Sequence, residues 1–171
     1  MSIHPDAYTQ FKVVDDYLTA EECDQLVALY DASPFRDPDL IGFWAQRVKW
    51  PVYPDDIRVK IRKQRRELAE SLFNKKFETR NLNITLWRVG DFQGPHSDYG
   101  GRNEYPDRDY ASIIYLNDDF EGGEIYMPEW KMSHVPKKGQ LVIFPGGTVL
   151  HGVTEVKKNR RLTSICWFKS A

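Results

Sequence analysis

The first half of the chain carries hydrophobic residues at helical spacing. Thr19 and Glu22 stand three residues apart, as the N-cap and N3 residues of a capping box do, and an apolar stripe follows them until Ser33-Pro34. A second helix is expected from Asp55, as its N-cap, to about Phe77. Its buried face is formed by residues spaced four and seven apart: Ile57, Ile61, Leu68 and Leu72.

The second predicted helix also carries a run of basic residues. Six of them fall between the apolar positions: Arg58, Lys60, Arg62, Lys63, Arg65 and Arg66. Such a run is typical of nucleic-acid patches, but Glu67 and Glu70 interrupt it, and 25 acidic residues balance 24 basic ones over the chain. We therefore expect a solvated helix face.

The segment between the two predicted helices is a loop rich in proline and aromatic residues. Trp44, Trp50 and Tyr53 lie in it. These rings would either line a peptide groove or pin the loop to the core. We expect the second role, since aromatic residues dominate core packing.

From residue 81 onwards the hydrophobic period changes to two. Residues 83–89 alternate and are rich in β-branched side chains, which predicts a strand. Five further strands are expected between turns rich in Gly, Pro, Asn and Asp: 110–116, 124–127, 140–144, 149–154 and 161–168. Many short strands with polar turns favour an antiparallel sandwich or barrel. We expect one domain over 1–171, with a helical support and aromatic loop (1–80) packed outside a β core (81–171).

Composition excludes several classes of protein without indicating a function. A chain of 171 residues fits a single domain, and a formal charge of -1 argues against a generally basic nucleic-acid binder. We find neither an apolar run of ~18 residues, as a membrane span needs, nor a signal-peptide pattern. Cys23 and Cys166 are too few for a disulfide framework. We therefore expect free thiols and a cytoplasmic location, whereas the oligomeric state stays open.

Three residues have the chemistry and spacing of a metal site. His96 and Asp98 stand two apart in an extended segment, so their side chains point the same way. His151 lies in a strand-like segment that a β-sandwich can bring alongside the first pair. Two histidines and one carboxylate bind one face of a metal and leave the others open, as non-heme Fe(II) requires. A closed four-ligand set would suit structural zinc instead.

Arg161 opens the last predicted strand, ten residues beyond His151. Strand alternation puts Arg161, Thr163 and Trp167 on one face, towards the expected interior. A buried Arg is costly without a partner, and its guanidinium is a bidentate anchor for a carboxylate. Thr163 can add a hydroxyl to the same anion. Arg160 then points to the opposite face, where we expect it to be solvated.

Several short motifs follow one another in a specific order over residues 82–168. They are Trp87-Arg-Val-Gly-Asp-Phe-Gln-Gly-Pro-His-Ser-Asp98, Ile113-Ile-Tyr-Leu-Asn117, Glu121-Gly-Gly-Glu124, Pro136-Lys-Lys-Gly139, Phe144-Pro145, His151, Arg161 and Trp167. In that order they resemble the catalytic core of the prolyl 4-hydroxylase-like 2-oxoglutarate and Fe(II)-dependent dioxygenases. The resemblance implies a mainly β fold, with a double-stranded β-helix (jelly roll, cupin-like) core and N-terminal helices packed on its outside.

The resemblance also implies the roles of particular residues. His96, Asp98 and His151 match the iron ligands. Arg161 matches the residue that binds the distal carboxylate of 2-oxoglutarate, and it precedes Trp167 by the family's six residues. The implied cofactors are Fe(II), 2-oxoglutarate as co-substrate and O2, and ascorbate is a further candidate. Because Asp98 is retained, a halogenase of this superfamily is not expected.

Two positions depart from the family pattern. Trp87 occupies a place where prolyl hydroxylases often carry Tyr, and Ile114 stands where some relatives use a Tyr to contact the co-substrate. An indole N–H can donate a hydrogen bond, but an isoleucine cannot replace a phenol. Co-substrate contacts other than Arg161 and Thr163 therefore stay open.

The reaction implied by the resemblance is hydroxylation of an unactivated C–H bond, with decarboxylation of 2-oxoglutarate to succinate. The substrate we favour is a prolyl or other residue of a peptide or protein. A dioxygenase of a free amino acid or other small molecule, and a non-catalytic β-sandwich that binds a metal or a sugar, are the alternatives. The loop 99–109 is either a lid over the substrate or a solvated hairpin loop. Candidate substrate-contacting or supporting residues are Trp87, Tyr99, Arg102, Tyr105, Arg108 and Trp167.

Overall fold

A computed structural model describes residues 3–34, 47–99 and 107–171. Four α-helices lie in these ranges: α1 Pro5–Gln10, α2 Ala20–Ala32, α3 Asp55–Arg58 and α4 Arg65–Phe73. A π-helical stretch, Val59–Gln64, joins α3 to α4. The predicted capping box of α2 is confirmed, because the Glu22 N–H donates to the Thr19 side chain and the Thr19 N–H donates to the Glu22 carboxylate.

The second predicted helix is shorter than the sequence indicated. Its N-cap is Pro54, without a side-chain cap, so the assignment of Asp55 as N-cap is wrong by one residue. The helix ends at Phe73 because Asn74 takes a left-handed conformation, with φ of 50°. Phe77, the expected end, instead opens a strand.

Antiparallel strands make up most of the fold. Twelve lie in the described ranges: β1 Lys12–Val14, β2 Val48–Lys49, β3 Phe77–Trp87, β4 Gln93–His96, β5 Tyr110–Tyr115, β6 Glu121–Gly122, β7 Ile125–Met127, β8 Met132–His134, β9 Leu141–Phe144, β10 His151–Val153, β11 Val156–Lys158 and β12 Arg161–Ser170. Six form a larger sheet in the order β1-β9-β5-β12-β3-β2, and four form a smaller sheet in the order β4-β10-β7-β8. The strands β6 and β11 form a separate ribbon.

The predicted jelly-roll core with helices on its outside is confirmed, and each of the six expected strands overlaps an observed one. The division of the chain near residue 80 is less sharp than expected. Both β1 and β2 come from the first half, yet they form the two edges of the larger sheet. That the whole chain is one domain stays a prediction.

Apolar clusters lie on both faces of the larger sheet. On its outer face, Leu26 and Ile61 from the helical segments pack with Ile114 of β5. On its inner face, Ile113 packs with Ile125 of the smaller sheet. Because both faces are covered, every residue of β5 is buried. The alternation along β5 and β12 therefore decides which side chains enter the space between the sheets.

One residue of the basic run is not solvated. Arg65 is fully buried against the outer face of the larger sheet, where its Nε donates to Ser112 Oγ at 2.5 Å. Other guanidinium N–H groups donate to the backbone carbonyls of Ser112 and Ser164. Burial lowers the pKa of Arg65. The prediction of a solvated face is thus wrong at this position, whereas Arg58 and Arg62 are exposed.

The remaining expectations about cysteines and loops concern single residues. Both cysteines are free and buried. Tyr53 packs against the outer cluster as expected, whereas Trp50 is 41% exposed. Trp44 lies outside the described residues. In the parts of the chain that the structure describes, no helix is both long and apolar enough to cross a membrane.

Candidate active site

Two paired strands bring the predicted metal-binding residues together. His96 ends β4 and His151 begins β10, and the two residues are direct partners in the antiparallel register. Their ring centroids are 4.4 Å apart. Asp98, two residues after His96, places Oδ1 3.9 Å from His96 Nε2 and 3.8 Å from His151 Nε2. Three donor atoms therefore converge on one point, as the spacing of the sequence predicted.

Backbone carbonyl groups orient both imidazole rings. His96 Nδ1 lies 3.0 Å from the carbonyl oxygen of Gly94, and His151 Nδ1 lies 2.9 Å from that of Val149. A carbonyl can only accept a hydrogen bond, so each Nδ1 carries the proton and each Nε2 presents a lone pair. Burial lowers the pKa of His151, against the opposing effect of Asp98. The neutral form that binds metals is thus favoured.

Asp98 is held in place by two hydrogen bonds. Its backbone N–H donates to the carbonyl of Gly146 at 2.8 Å, and the Trp167 indole N–H donates to Oδ2 at 3.2 Å. The second bond leaves Oδ1 turned towards the two histidines. A side chain at Gly146 would place its Cβ 2.4 Å from Oδ2, so only glycine allows this close approach. The sequence placed Trp167 near the site but did not indicate this bond.

The donor set fits a metal with open coordination positions. Within the described residues, the group of possible metal-binding side chains contains His96, Asp98 and His151 and no fourth member. Two imidazole nitrogens and one carboxylate oxygen suit Fe(II) better than structural zinc, which needs a closed set of four ligands. The remaining coordination positions are then available to other ligands.

A buried guanidinium lies in the same β core. Arg161 begins β12 and is 1% exposed, and no carboxylate forms an ion pair with it in the described part of the chain. Its guanidinium carbon lies 5.2 Å from the ring centroids of both Trp87 and Tyr115. Burial lowers the pKa of Arg161. Since a buried cation without an anion is costly, this position favours an anionic ligand.

Three polar atoms around this guanidinium lack hydrogen-bond partners among the described residues. They are Arg161 Nε, Thr163 Oγ1 and Tyr115 Oη, and each is buried. Native proteins rarely leave such groups unsatisfied, so a set of three in one place indicates an absent ligand. A carboxylate would accept from all three. The grouping of Arg161 with Thr163 is as the sequence predicted.

Tyr115 is the residue that the sequence analysis missed. Ile114, which was expected to stand in the co-substrate position, instead packs on the outer face with the helices. Its neighbour Tyr115 points between the sheets and is the register partner of Thr163. Ile114 is therefore not the residue that faces the co-substrate position. Because successive side chains of β5 point to opposite faces of the sheet, the phenol of Tyr115 lies there instead. Counting the alternation of β5 against that of β12 would have found it.

The other candidate residues are distributed around the site. Trp87 is buried and is the register partner of Arg161, beside whose guanidinium it places its ring. The guanidinium carbon of Arg108 lies 4.0 Å from the ring centroid of Trp167. The Tyr99 hydroxyl donates to the Asp109 carboxylate.

Three further residues, two of them from the loop 99–109, do not contribute to the described site. Arg102 and Tyr105 lie outside the described residues. Arg160 points away from the site, as expected, and forms hydrogen bonds of 2.7 and 2.9 Å with the two Asp31 oxygens at the surface. Of the two neighbouring arginines at the start of β12, only Arg161 therefore enters the core.

Comparison of the sequence with known families and proteins gives a consistent result. A sequence model of the 2OG-Fe(II) oxygenase superfamily matches residues 82–169. Human prolyl 3-hydroxylase 2 is 41% identical over 70 residues, which cover 37% of this chain and 10% of that protein. Mouse prolyl 3-hydroxylase 3 is 39% identical over 69 residues, or 37% of this chain and 9% of that protein. The chain thus matches about a tenth of the length of these relatives.

Solved structures share the fold over nearly the whole chain. The viral collagen prolyl hydroxylase of Paramecium bursaria Chlorella virus-1, in its 2OG complex, has a TM-score of 0.73 at 21% identity, over 95% of this chain and 96% of that one. A Pseudomonas putida prolyl-4-hydroxylase has a TM-score of 0.63 at 21% identity, over 97% and 96%. A Trichoplax adhaerens prolyl hydroxylase, in complex with a hypoxia inducible factor peptide, has 0.68 at 18%, over 94% and 84%.

Proposed function

The chain belongs to the 2OG-Fe(II) oxygenase superfamily, and we propose that it is a 2-oxoglutarate- and Fe(II)-dependent dioxygenase that hydroxylates a prolyl or other residue of a peptide or protein. One observation carries the proposal. An open set of three metal-binding side chains lies in the same β core as a buried arginine that has no carboxylate partner within the described part of the chain. A metal and a dicarboxylate would complete both features.

Each residue of the site has a defined part in holding these groups. His96 Nε2, Asp98 Oδ1 and His151 Nε2 would hold Fe(II), and Arg161 with Tyr115 would hold the distal carboxylate of 2-oxoglutarate. When bound together with O2, iron and 2-oxoglutarate supply the oxidising chemistry: 2-oxoglutarate yields succinate and CO2, and one oxygen atom enters the substrate C–H bond. Ascorbate remains a candidate accessory cofactor.

The protein itself contributes position and a dry environment. The hydrogen bond from Trp167 to Oδ2 fixes the Asp98 carboxylate and leaves Oδ1, which would bind the metal, turned towards the histidines. The rings of Trp87 and Tyr115 border Arg161 and keep water from its guanidinium, which strengthens its attraction for a carboxylate. The chemistry needs no side chain to act as general base, and we assign none.

A peptide or protein substrate is supported by the names of the similar proteins. They include prolyl 3-hydroxylases, a collagen prolyl hydroxylase and a prolyl hydroxylase bound to a peptide. The buried cation of Arg161 argues against a non-catalytic metal- or sugar-binding sandwich, since neither a metal ion nor a neutral sugar would offset its charge. We also propose a cytoplasmic location, which two free cysteines support.

The test is succinate formation from 2-oxoglutarate and Fe(II), with proline-containing peptides and with free amino acids. We expect succinate release that a peptide stimulates and that His96→Ala abolishes. Stimulation by a free amino acid alone would favour the small-molecule alternative. No succinate under any condition, from a folded protein that retains its metal, would contradict the enzyme assignment.

A further inference from the structure

A surface groove of about 580 Å3 lies between the helical stretch formed by α3 and the π-helical turn after it and the edge of the larger sheet. Its walls come from the segment after β2, which includes Trp50 and Tyr53, and from the helical stretch that carries Arg58 and Arg62. Residues 79–82 of β3 form the third wall. Its volume falls within the range of ~300–1,000 Å3 that ligand sites have.

The strand edge that borders this groove is open in the described part of the chain. On one side β3 pairs with β12, with an irregularity at Arg80 and Asn81, and on the other side β2 pairs with it only at Ile84 and Thr85. The chain beyond β2 cannot extend the pairing, because Pro51 and Pro54 have no N–H to donate. Among the described residues, the backbone of residues 79–82 therefore has no strand partner on this side.

The side chains of the groove favour an acidic, partly apolar ligand. Three of the ten lining residues are arginines and none is acidic. Arg58 is bound to Asp55 in an exposed pair, and Arg80 is bound to Glu78, but no ion pair of Arg62 is found among the described residues. Trp50 is 41% and Val52 is 91% exposed, so an apolar surface lies beside the cations.

Two polar atoms belonging to the lining residues are also unsatisfied. Tyr53 Oη and Thr79 Oγ1 are buried, and neither has a hydrogen-bond partner within the described ranges. Such atoms are uncommon in native proteins unless a ligand or water meets them. Neither atom is accessible from the groove, so the charges and the open strand edge are what favour a ligand there.

Side-chain contacts link one wall of the groove to the candidate active site. Arg80 Nε lies 3.2 Å from an Asp107 carboxylate oxygen. The next residue, Arg108, stacks on Trp167, which donates to Asp98. These contacts connect the wall of the groove to a residue that binds Asp98.

We propose that this groove binds an extended acidic segment of the protein substrate, which adds as a strand to the open edge of β3 and meets Arg58 and Arg62 with its carboxylates. The open strand edge favours a peptide over a nucleic acid, which has no ladder of amide groups to pair with it. The role of the groove in docking the substrate rests on the proposed function. Its ability to bind a peptide does not.

The first experiment measures binding without turnover. The probe is a fluorescein-labelled peptide of about ten residues with alternating Glu and Val, titrated with the full chain and followed by anisotropy. We expect Arg62→Glu to weaken binding about tenfold, since the change replaces attraction with repulsion. The matched charge reversal Lys157→Glu, on β11 outside the groove, should change it less than about twofold. Binding should also weaken with added salt.

Three results would overturn the proposal. Arg62→Glu and Lys157→Glu could bind the peptide equally, a Lys-for-Glu peptide could bind as well as the acidic one, or a single-stranded oligonucleotide could bind where the acidic peptide does not. The strand pairing has its own test. N-methylation at alternate peptide residues should abolish binding because it removes main-chain donors, and undiminished binding would contradict the β-addition.

A second experiment separates this inference from the proposed function. A proline peptide carrying the acidic tail is compared with an untailed one by succinate release. We expect the advantage of the tailed peptide in kcat/KM to fall about tenfold in Arg62→Glu and to persist in Lys157→Glu. If the acidic peptide binds but no variant releases succinate, the proposed function fails and the groove stands. If both peptides turn over equally in every variant, the groove fails and the proposed function stands.

Discussion

The hydrogen bond from Trp167 to Asp98 makes a specific prediction about metal affinity. Trp167→Phe removes the indole donor that lies 3.2 Å from Asp98 Oδ2, while it retains an aromatic ring for Arg108 to stack on. Hydrogen bonds to charged groups contribute ~1.5–3 kcal/mol. Because 3.2 Å is long for such a bond, we take about 1.5 kcal/mol. That value corresponds to roughly a tenfold weaker Kd for the metal.

The assay is anaerobic calorimetric titration of the metal-free protein with Fe(II), with thermal unfolding as a check on folding. The control is Trp130→Phe, which alters a more deeply buried tryptophan of the same inner cluster, one with no hydrogen bond to Asp98 among the described residues. We expect the control to bind Fe(II) within about twofold of the unchanged protein. Equal affinities of Trp167→Phe and Trp130→Phe, with both proteins folded, would refute the argument that the indole orients the carboxylate.

Three further predictions concern other parts of the fold and the site. Arg161→Met should raise the Kd for 2-oxoglutarate about 100-fold, with Tm unchanged or higher because a buried unpaired charge is removed; a normal Kd by calorimetry would disprove the anchor. Arg65→Ala should lower the free energy of unfolding by about 3 kcal/mol, since the carbonyl of Ser112 loses its donor; urea denaturation measures this, and a loss under ~1 kcal/mol would contradict it. Gly146→Ala should displace the Asp98 carboxylate, since the added Cβ would lie 2.4 Å from its Oδ2. We expect the Fe(II) affinity to fall about tenfold in the same calorimetric titration. Unchanged affinity would contradict the requirement for glycine at this position.

Local signals predicted the elements that depend on local chemistry. The capping box at Thr19 and Glu22 forms because both partners lie within one turn of helix. His96 and Asp98 converge because two-residue spacing in an extended chain has one geometric outcome. The register of β4 with β10, which places His151 opposite His96, was only an expectation of the fold class.

The failures that affect the site and the core depend on how distant elements align, whereas the wrong bounds of the second helix are local errors. The burial of Arg65 requires that the serines of β5 and β12 face the helix, which depends on sheet register rather than on the helix sequence. Ile114 was assigned to the position that Tyr115 occupies, because an error of one residue along a strand moves the expected side chain to the other face of the sheet. The groove beside β3 arises where two prolines end a pairing between residues 35 to 37 positions apart in sequence.

The central claim is that this β core couples decarboxylation of 2-oxoglutarate to oxygenation of a peptide. The most direct measurement is mass spectrometry of a proline-containing peptide after turnover under 18O2, with succinate quantified in the same reaction. The account predicts one 18O atom in the peptide for each succinate formed, and neither product from His96→Ala. Peptide oxygen derived from water, or peptide oxygenation without succinate, would contradict it.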